Sequence, residues 1–156
     1  MRKKEREITD FKEIEEIIEK SDVCRIALSN DNIPYIVTMN FGYKRGDNPV
    51  LLFHCAREGK KIDIIKKNNT VCFQMDIDHE LVKANMGCQS SMQYRSVVGV
   101  GKISFITKKE DKIEALNILM NHYTGEEQHP FEEKMINRIY ILRLDIDEIS
   151  GKKCKD

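Results

Sequence analysis

Six segments rich in β-branched and aromatic residues run through the chain, with only short helical patterns between them. They cover residues 23–28, 34–43, 50–55, 71–77, 94–106 and 138–149. In the last segment Leu142, Leu144 and Ile146 alternate with charged residues, which is the pattern of a strand with one buried face. Strands that follow one another with few helices between them favour antiparallel pairing. The sequence therefore predicts a mainly β fold with peripheral helices, a small barrel of about six strands.

Helical patterns flank and interrupt these strands. Asp10 has the residue type of a helix N-cap, and apolar residues at helical spacing follow it. Short helices are predicted over 59–67 and 131–137, and a longer one from Thr107 to Gly125. Residues 78–93 show neither period and are predicted to form a loop. We find no internal repeat or linker, so residues 1–156 are expected to form a single domain.

Composition limits the classes of function. Lys and Arg number 26, as do Asp and Glu, and this balance argues against nucleic-acid binding, which requires a basic surface. No apolar run is long enough to span a membrane, and the charged N-terminus does not resemble a secretory signal. The five cysteines are an odd number without CxxC spacing, which favours reduced thiols in a cytoplasmic protein. The histidines lack the spacing of a zinc site, so no metal is expected.

The stretch FHCAREGKKID carries the most informative polar residues. Gly59, Lys60 and Lys61 stand at the predicted start of a helix, where free backbone N–H groups and two cations would suit a phosphate. A solvated helix end explains the same residues. His54 ends an apolar run, where a histidine is more often structural than catalytic, although it lies close enough to the predicted helix start to face the same ligand. These residues alone leave both alternatives open.

Three segments together resemble a known family. PYIVTMNFGY (34–43), LLFHCAREGKKIDII (51–65) and YRSVVGVGKISFI (94–106) are similar to the pyridoxamine phosphate oxidase-like FMN-binding split-barrel superfamily, and within it to the nitroimidazole-resistance branch. The resemblance extends from about residue 10 to residue 151. It implies a six-stranded split barrel of the FMN-binding type.

The resemblance also implies a set of flavin contacts. The backbone of Val37, Thr38, Met39 and Asn40 would run along the flavin ring. His54 and Cys55, at the end of the next strand, would also contact the flavin. Lys60 and Lys61 would hold the phosphate, and Ser96 would add a polar contact. FAD could use the same phosphate site. Members of the superfamily hold the flavin between two subunits, so a homodimer is implied.

The expected function is that of a flavin-dependent oxidoreductase acting on small nitroaromatic compounds such as 5-nitroimidazoles, with His54 positioning the substrate or donating a proton. A non-catalytic flavin- or haem-binding split-barrel protein is the alternative, followed by a purely structural dimer. The sequence departs from the family pattern in two places. Lys60 stands where relatives often carry Arg, so a planar bidentate donor is lost at the phosphate while the charge is kept. Loop 84–93 is poor in aromatic residues, which bears on the substrate.

Overall fold

The computed structural model describes residues 3–154. Eight strands form a single sheet: β1 (Glu7–Ile8), β2 (Cys24–Asn30), β3 (Ile33–Met39), β4 (Gly42–Lys44), β5 (Val50–Ala56), β6 (Thr70–Val82), β7 (Ser91–Ile106) and β8 (Ile139–Cys154). The α-helices are α1 (Phe11–Lys20), α2 (Lys60–Lys67), α3 (Lys109–Thr124) and α4 (Glu133–Ile136). Short 3₁₀ turns cover Lys4–Arg6 and Gly87–Gln89.

All strand pairs are antiparallel, in the order β3-β2-β6-β7-β8-β5-β4, with β1 added on β8. The predicted mainly β fold with peripheral helices is confirmed, although the sheet has eight strands and not six. The two additional strands, β1 and β4, are only two and three residues long. The predicted strand 34–43 is broken because the chain passes at Asn40 and Phe41 from one end of the sheet order to the other.

The core lies inside the curved sheet and is closed by two helices. Helix α1 precedes β2 and contributes Ile14, Ile17 and Ile18, while α2 contributes its buried isoleucines to the same core. At the other end of β2, the Asn68 side chain after α2 donates a hydrogen bond to the Ser29 carbonyl at 3.3 Å. The two helices therefore cover opposite ends of the barrel.

Helix α3 packs on the outer face of β4 and β5 and builds a second apolar cluster there. Gly42 allows this contact, since a Cβ atom at that position would lie 2.7 Å from the backbone of Leu119. Leu52 and Ile141 face Ala115 and Leu116 across the interface. The Tyr123 hydroxyl near the end of α3 accepts a hydrogen bond from the Phe41 N–H at 3.1 Å. This contact fixes the crossing between β3 and β4.

The loop predicted over 78–93 is wrong for half of its length and confirmed for residues 83–90. Strand β6 continues to Val82 and β7 begins at Ser91, so the connection is short. The strand register shifts between Ile77 and Glu80, where Asp78 has a φ of 58°. This β-bulge interrupts the alternation of buried and exposed residues, which explains why the sequence shows no strand period here.

Of the predicted N-caps Asp10 and Thr107, the structure confirms Asp10 and not Thr107. Asp10 caps α1 by accepting a hydrogen bond from the Lys12 N–H at 3.0 Å. Helix α3 begins one residue later than Thr107 would place it, with Lys108 at the N-cap and no side-chain cap.

Within residues 3–154, no helix is both long and apolar enough to cross a lipid bilayer.

Candidate functional site

The start of α2 offers free hydrogen-bond donors beside two cations. Gly59 is the N-cap residue, with φ 119° and ψ 164°, and its Cβ position is open space. Its carbonyl accepts hydrogen bonds from the N–H groups of Ile62 and Asp63, at 2.8 and 3.2 Å. The N–H groups of Lys60 and Lys61, one turn earlier, point out of the helix end. The helix dipole adds partial positive charge at this end.

Contacts of the two lysines place this helix start between two strands. The Lys60 ammonium lies 4.5 Å from the centre of the Tyr35 ring, on β3. Lys61 lies close enough to Cys55, on β5, for its charge to act on that thiol. The ion pairs that lysines form within residues 3–154 involve Lys20, Lys44, Lys109 and Lys153, and neither lysine of this pair. Both charges are therefore available to an anion.

The strands beside this helix start have open backbone edges. Strand β3 ends the sheet order, so one of its edges has no strand partner within residues 3–154. Strand β5 pairs with β4 only over Val50–Leu52, so one edge of residues 53–56 is likewise without a strand partner in the described chain. Unpaired N–H and C=O groups of this kind can bind the polar rim of a planar ligand.

His54 and Cys55 point to opposite faces of β5. The Cys55 side chain is 6% exposed and lies in the barrel core, where burial raises the pKa of its thiol although the Lys61 charge acts in the other direction. This thiol is protonated at neutral pH and is not a nucleophile. His54 is exposed on the outer face, on the same side as Leu52 and opposite Ile141 in the neighbouring strand. The structure thus brings Cys55, and not the His54 side chain, to the Lys61 side of the strand.

The predicted ring-binding residues lie along β3 and just beyond it. Val37 and Met39 direct their side chains toward the core, and Met39 is 9% exposed. Thr38 is exposed on the outer face, and Asn40 is exposed after the strand ends. A ligand beside this strand would therefore meet the backbone of Val37 and Met39, and the side chains only of Thr38 and Asn40.

Ser96 is not close to the other predicted contacts within one chain. It lies on β7, three strand positions from β3, which corresponds to about 14 Å. The strand row that contains His54 meets β7 at Ile106. Ten residues of β7 separate that position from Ser96, or about 33 Å of strand. One chain therefore does not gather Ser96, His54 and the lysine pair around one small molecule.

Two further residues belong to this region and were missed by the sequence reasoning. The Tyr35 ring contacts the Lys60 ammonium, and Tyr35 lies on the same face of β3 as Val37. Alternate residues of a strand share a face, so counting back two residues from Val37 would have identified Tyr35. Arg57 lies between β5 and α2. Its guanidinium sits 5.1 Å from the centre of the Tyr140 ring and donates to the Asn137 carbonyl at 3.2 Å. Arg57 adds a third positive charge on the segment that leads into α2.

Comparisons with known proteins show the family and agree with the fold. Residues 10–153 match the family model described as pyridoxamine 5'-phosphate oxidase. A candidate 5-nitroimidazole antibiotic resistance protein from Bacteroides thetaiotaomicron is 33% identical, with a TM-score of 0.83 over 94% of this chain and 86% of that one. A search of curated proteins found no match.

Two further solved structures share the fold at lower identity. The FAD and heme binding protein of Mycobacterium smegmatis is 18% identical, with a TM-score of 0.83 over 97% of this chain and 74% of that one. An FAD-binding protein from Mesorhizobium loti is 23% identical, with a TM-score of 0.68 over 96% of this chain and 98% of that one.

Proposed function

The chain belongs to the pyridoxamine 5'-phosphate oxidase family, and we propose from this that it is a flavoprotein that binds FMN at the start of α2. The family match over residues 10–153 and the 33% identity to the Bacteroides protein confirm the family resemblance seen in the sequence. The observation that carries the proposal is the placement of Lys60 and Lys61 between the open edges of β3 and β5. A dianionic phosphate suits two unpaired ammonium groups and free helix N–H groups.

The rest of the flavin would extend from this phosphate site along β3. The strand leads from Tyr35, which touches Lys60, to Met39 and Asn40, and its free edge would supply N–H and C=O groups to the polar rim of the ring. Thr38 and Asn40 would add side-chain contacts. Bound flavin would supply the two-electron redox chemistry, while the chain binds and orients it.

We further propose that the protein is an oxidoreductase that reduces small nitroaromatic compounds such as 5-nitroimidazoles. The support is the description of the 33% identical relative as a candidate 5-nitroimidazole antibiotic resistance protein. His54 is exposed at the end of β5, three residues before Arg57, so its imidazole is free to bind a substrate or give it a proton.

A homodimer would explain two observations on the single chain. First, Ser96 lies about 33 Å along β7 from the row of residues that contains His54, which is too far for both residues to contact the same flavin within one chain. Second, the outer face of the sheet exposes large apolar side chains: Ile36 is 64% exposed, Val98 43% and Val100 38%. Ile36 and Val100 occupy one row that crosses β2 at Ala27 and β6 at Cys72. An apolar stripe of this kind is typical of a surface that another chain covers.

The absorption spectrum of the purified protein tests the cofactor, together with mass analysis of the small molecule released on denaturation. Flavin bands with released FMN are the expected result. Released FAD would correct the cofactor, and a Soret band would place the protein with the haem-binding alternative. No chromophore, with no change in melting temperature on adding FMN, would contradict the proposal. Flavin that a nicotinamide donor reduces, but that no nitroaromatic compound reoxidises, would remove the proposed substrate class.

Light scattering tests the dimer. Ile36→Glu places a charge in the apolar stripe and is expected to shift the protein from a dimer to a monomer. Met135→Glu is the matched control, because Met135 is 54% exposed on α4, which packs over β5 and β8 and not over the strands that carry the stripe, and the change should leave the dimer intact. A monomeric wild-type protein, or a dimer that tolerates Ile36→Glu, would contradict the proposed interface.

A further inference from the structure

The Asp76 carboxylate on β6 lies within hydrogen-bond distance of three side chains. Its Oδ1 accepts hydrogen bonds from Arg25 Nη1 at 2.7 Å and from Gln74 Nε2 at 2.6 Å. Its Oδ2 lies 2.8 Å from His79 Nε2. The Asp76 side chain is 23% exposed, against 50% for His79. A fixed, partly buried carboxylate thus orients an accessible imidazole, which is an arrangement that proteins use for proton transfer.

The backbone places His79 against Asp76 by means of the β-bulge. Residues three apart on a regular strand point to opposite faces, so His79 and Asp76 would not meet without it. The register shift between Ile77 and Glu80, with Asp78 at a φ of 58°, turns the histidine back toward the carboxylate. Asp is one of the residue types that adopt positive φ most readily, which allows the bulge to form at this position.

The imidazole opens into a cavity of about 560 Å³. The charged groups that face His79 there are Lys20 from α1, Asp22 from the segment after it, Arg25 from β2, and Asp76 and Asp78 from β6. Two of these groups are already paired elsewhere, Lys20 with Glu16 at 2.6 Å and Asp78 with Arg95 at 2.6 Å.

Ser96 pairs directly with Asp76 across the two strands. The N-terminal part of β7 therefore lies beside His79, its cavity and Ser96, the serine that the family resemblance assigns to the flavin. The row of residues that contains His54 meets β7 at its C-terminal end.

We propose that His79, oriented by Asp76, is a catalytic residue that donates a proton to the substrate reduced at the flavin that Ser96 contacts. This inference rests on the proposed function and, of the two roles open to His54 there, leaves it substrate positioning. The Nε2 bond to Asp76 leaves Nδ1 as the atom that gives up the proton. In the step, a nitro group takes a hydride from reduced flavin and a proton from His79 Nδ1–H, loses one N–O bond, and yields a nitroso group and water. A nicotinamide dinucleotide supplies the electrons beforehand, and His79 regains its proton from solvent.

Proximity is tested by NMR, independently of activity. Single His→Gln variants assign the imidazole signals, and FMN is then added to the protein from which flavin has been removed. The His79 signal is expected to shift or broaden, whereas His129, which contacts Thr124 near the end of α3, is the control and should not move. FMN that binds without any change at His79 would overturn this inference and leave the proposed function intact. Failure of the wild-type protein to bind FMN would overturn both.

Single-turnover reoxidation of the reduced protein by a 5-nitroimidazole tests the chemical role. His79→Gln is expected to keep FMN affinity within about twofold but to slow the reaction at least about 100-fold and remove its pH dependence. Asp76→Asn should lower the maximal rate of reoxidation with little change in the substrate concentration that gives half of it, because Asp76 acts only by positioning His79. Glu80→Gln, at the same bulge, is the control and should react like the wild type. A His79→Gln protein with wild-type rate and pH profile would overturn the inference.

Discussion

Lys60 rests on the ring of Tyr35, with its ammonium 4.5 Å from the ring centre, and this contact joins the start of α2 to the edge strand β3. Tyr35 and Lys60 are 25 positions apart in the sequence, and the fold brings them into contact. The cation–π contact holds the Lys60 side chain in place before any anion arrives. Because the Lys60 side chain is already ordered, less conformational entropy is lost when a ligand binds.

The Tyr35 contact should therefore contribute to flavin affinity. Tyr35→Leu removes the ring and is expected to weaken FMN binding about two- to fivefold, in line with a cation–π contact of about 0.5–1 kcal/mol. Tyr35→Phe keeps the ring and should bind FMN like the wild type. Fluorescence titration measures both variants, and equal weakening in both would assign the effect to the hydroxyl group and not to the ring.

Gly59 is expected to be intolerant of a side chain because of its backbone angle. Its φ of 119° is rarely adopted by residues with a Cβ atom, although no atom lies near the Cβ position. Gly59→Ala should lower the free energy of unfolding by about 1–3 kcal/mol. Gly87→Ala is the matched control, with equal open space but no positive φ, and should change stability by less than about 0.5 kcal/mol. Urea unfolding that gives equal values for the two variants would contradict this explanation.

The Glu16–Arg95 pair predicts an acid-dependent loss of stability. The Arg95 guanidinium that hydrogen-bonds Glu16, at 3.0 Å, lowers the pKa of that carboxyl from 4.5 to about 2, and Lys20 adds to the effect. Because the pKa is lower in the folded state, ionised Glu16 stabilises the fold above pH 4.5, and this contribution disappears as the pH falls toward 2.

Unfolding free energies between pH 6 and pH 2.5 check this linkage. The wild type should lose stability more steeply than Glu16→Gln between pH 4.5 and the acid limit. Glu127→Gln, at an exposed loop position, is the control and should follow the wild type. Parallel curves for wild type and Glu16→Gln would show that the pair carries no such linkage.

The cysteines should differ widely in reactivity. Cys88 is exposed, whereas burial raises the pKa of Cys24 to about 12 and also raises that of Cys55. A thiol-reactive disulfide reagent is expected to modify Cys88 first, with Cys24 and Cys55 at least about 100-fold slower. Cys88→Ser should remove the fast phase. A fast phase that survives in this variant would contradict the assignment of Cys88 as the most reactive thiol.

Much of the fold follows from local sequence. The helix predicted over 59–67 is observed as Lys60–Lys67 with Gly59 at its N-cap, because a short apolar repeat and a glycine at its start are local signals. Two glycines on one face of β7 also allow close packing there. A Cβ atom at Gly99 would contact the Phe73 ring, and one at Gly101 would contact the Asp145 carbonyl.

Non-local features of the site could not be predicted in this way. Strand β1 has only two residues and exists through its pairing with β8, far away in the sequence. The bulge at Asp78 hides the strand period and, with it, the contact between His79 and Asp76. The separation of Ser96 from His54 depends on sheet order and register, which short motifs do not encode. Family motifs therefore name candidate contacts without showing which of them one chain brings together.

The most direct measurement compares the affinities of the protein for FMN and for riboflavin, which lacks the phosphate. If Lys60 and Lys61 hold the phosphate, the wild type should prefer FMN by at least about 100-fold, since each charge-assisted contact contributes about 1.5–3 kcal/mol. The variant with Lys60→Ala and Lys61→Ala should lose most of that preference. A variant with Lys66→Ala and Lys67→Ala, at the other end of the same helix, should keep it. Equal affinity of the wild type for both ligands, or an FMN preference that survives loss of Lys60 and Lys61, would contradict the phosphate site.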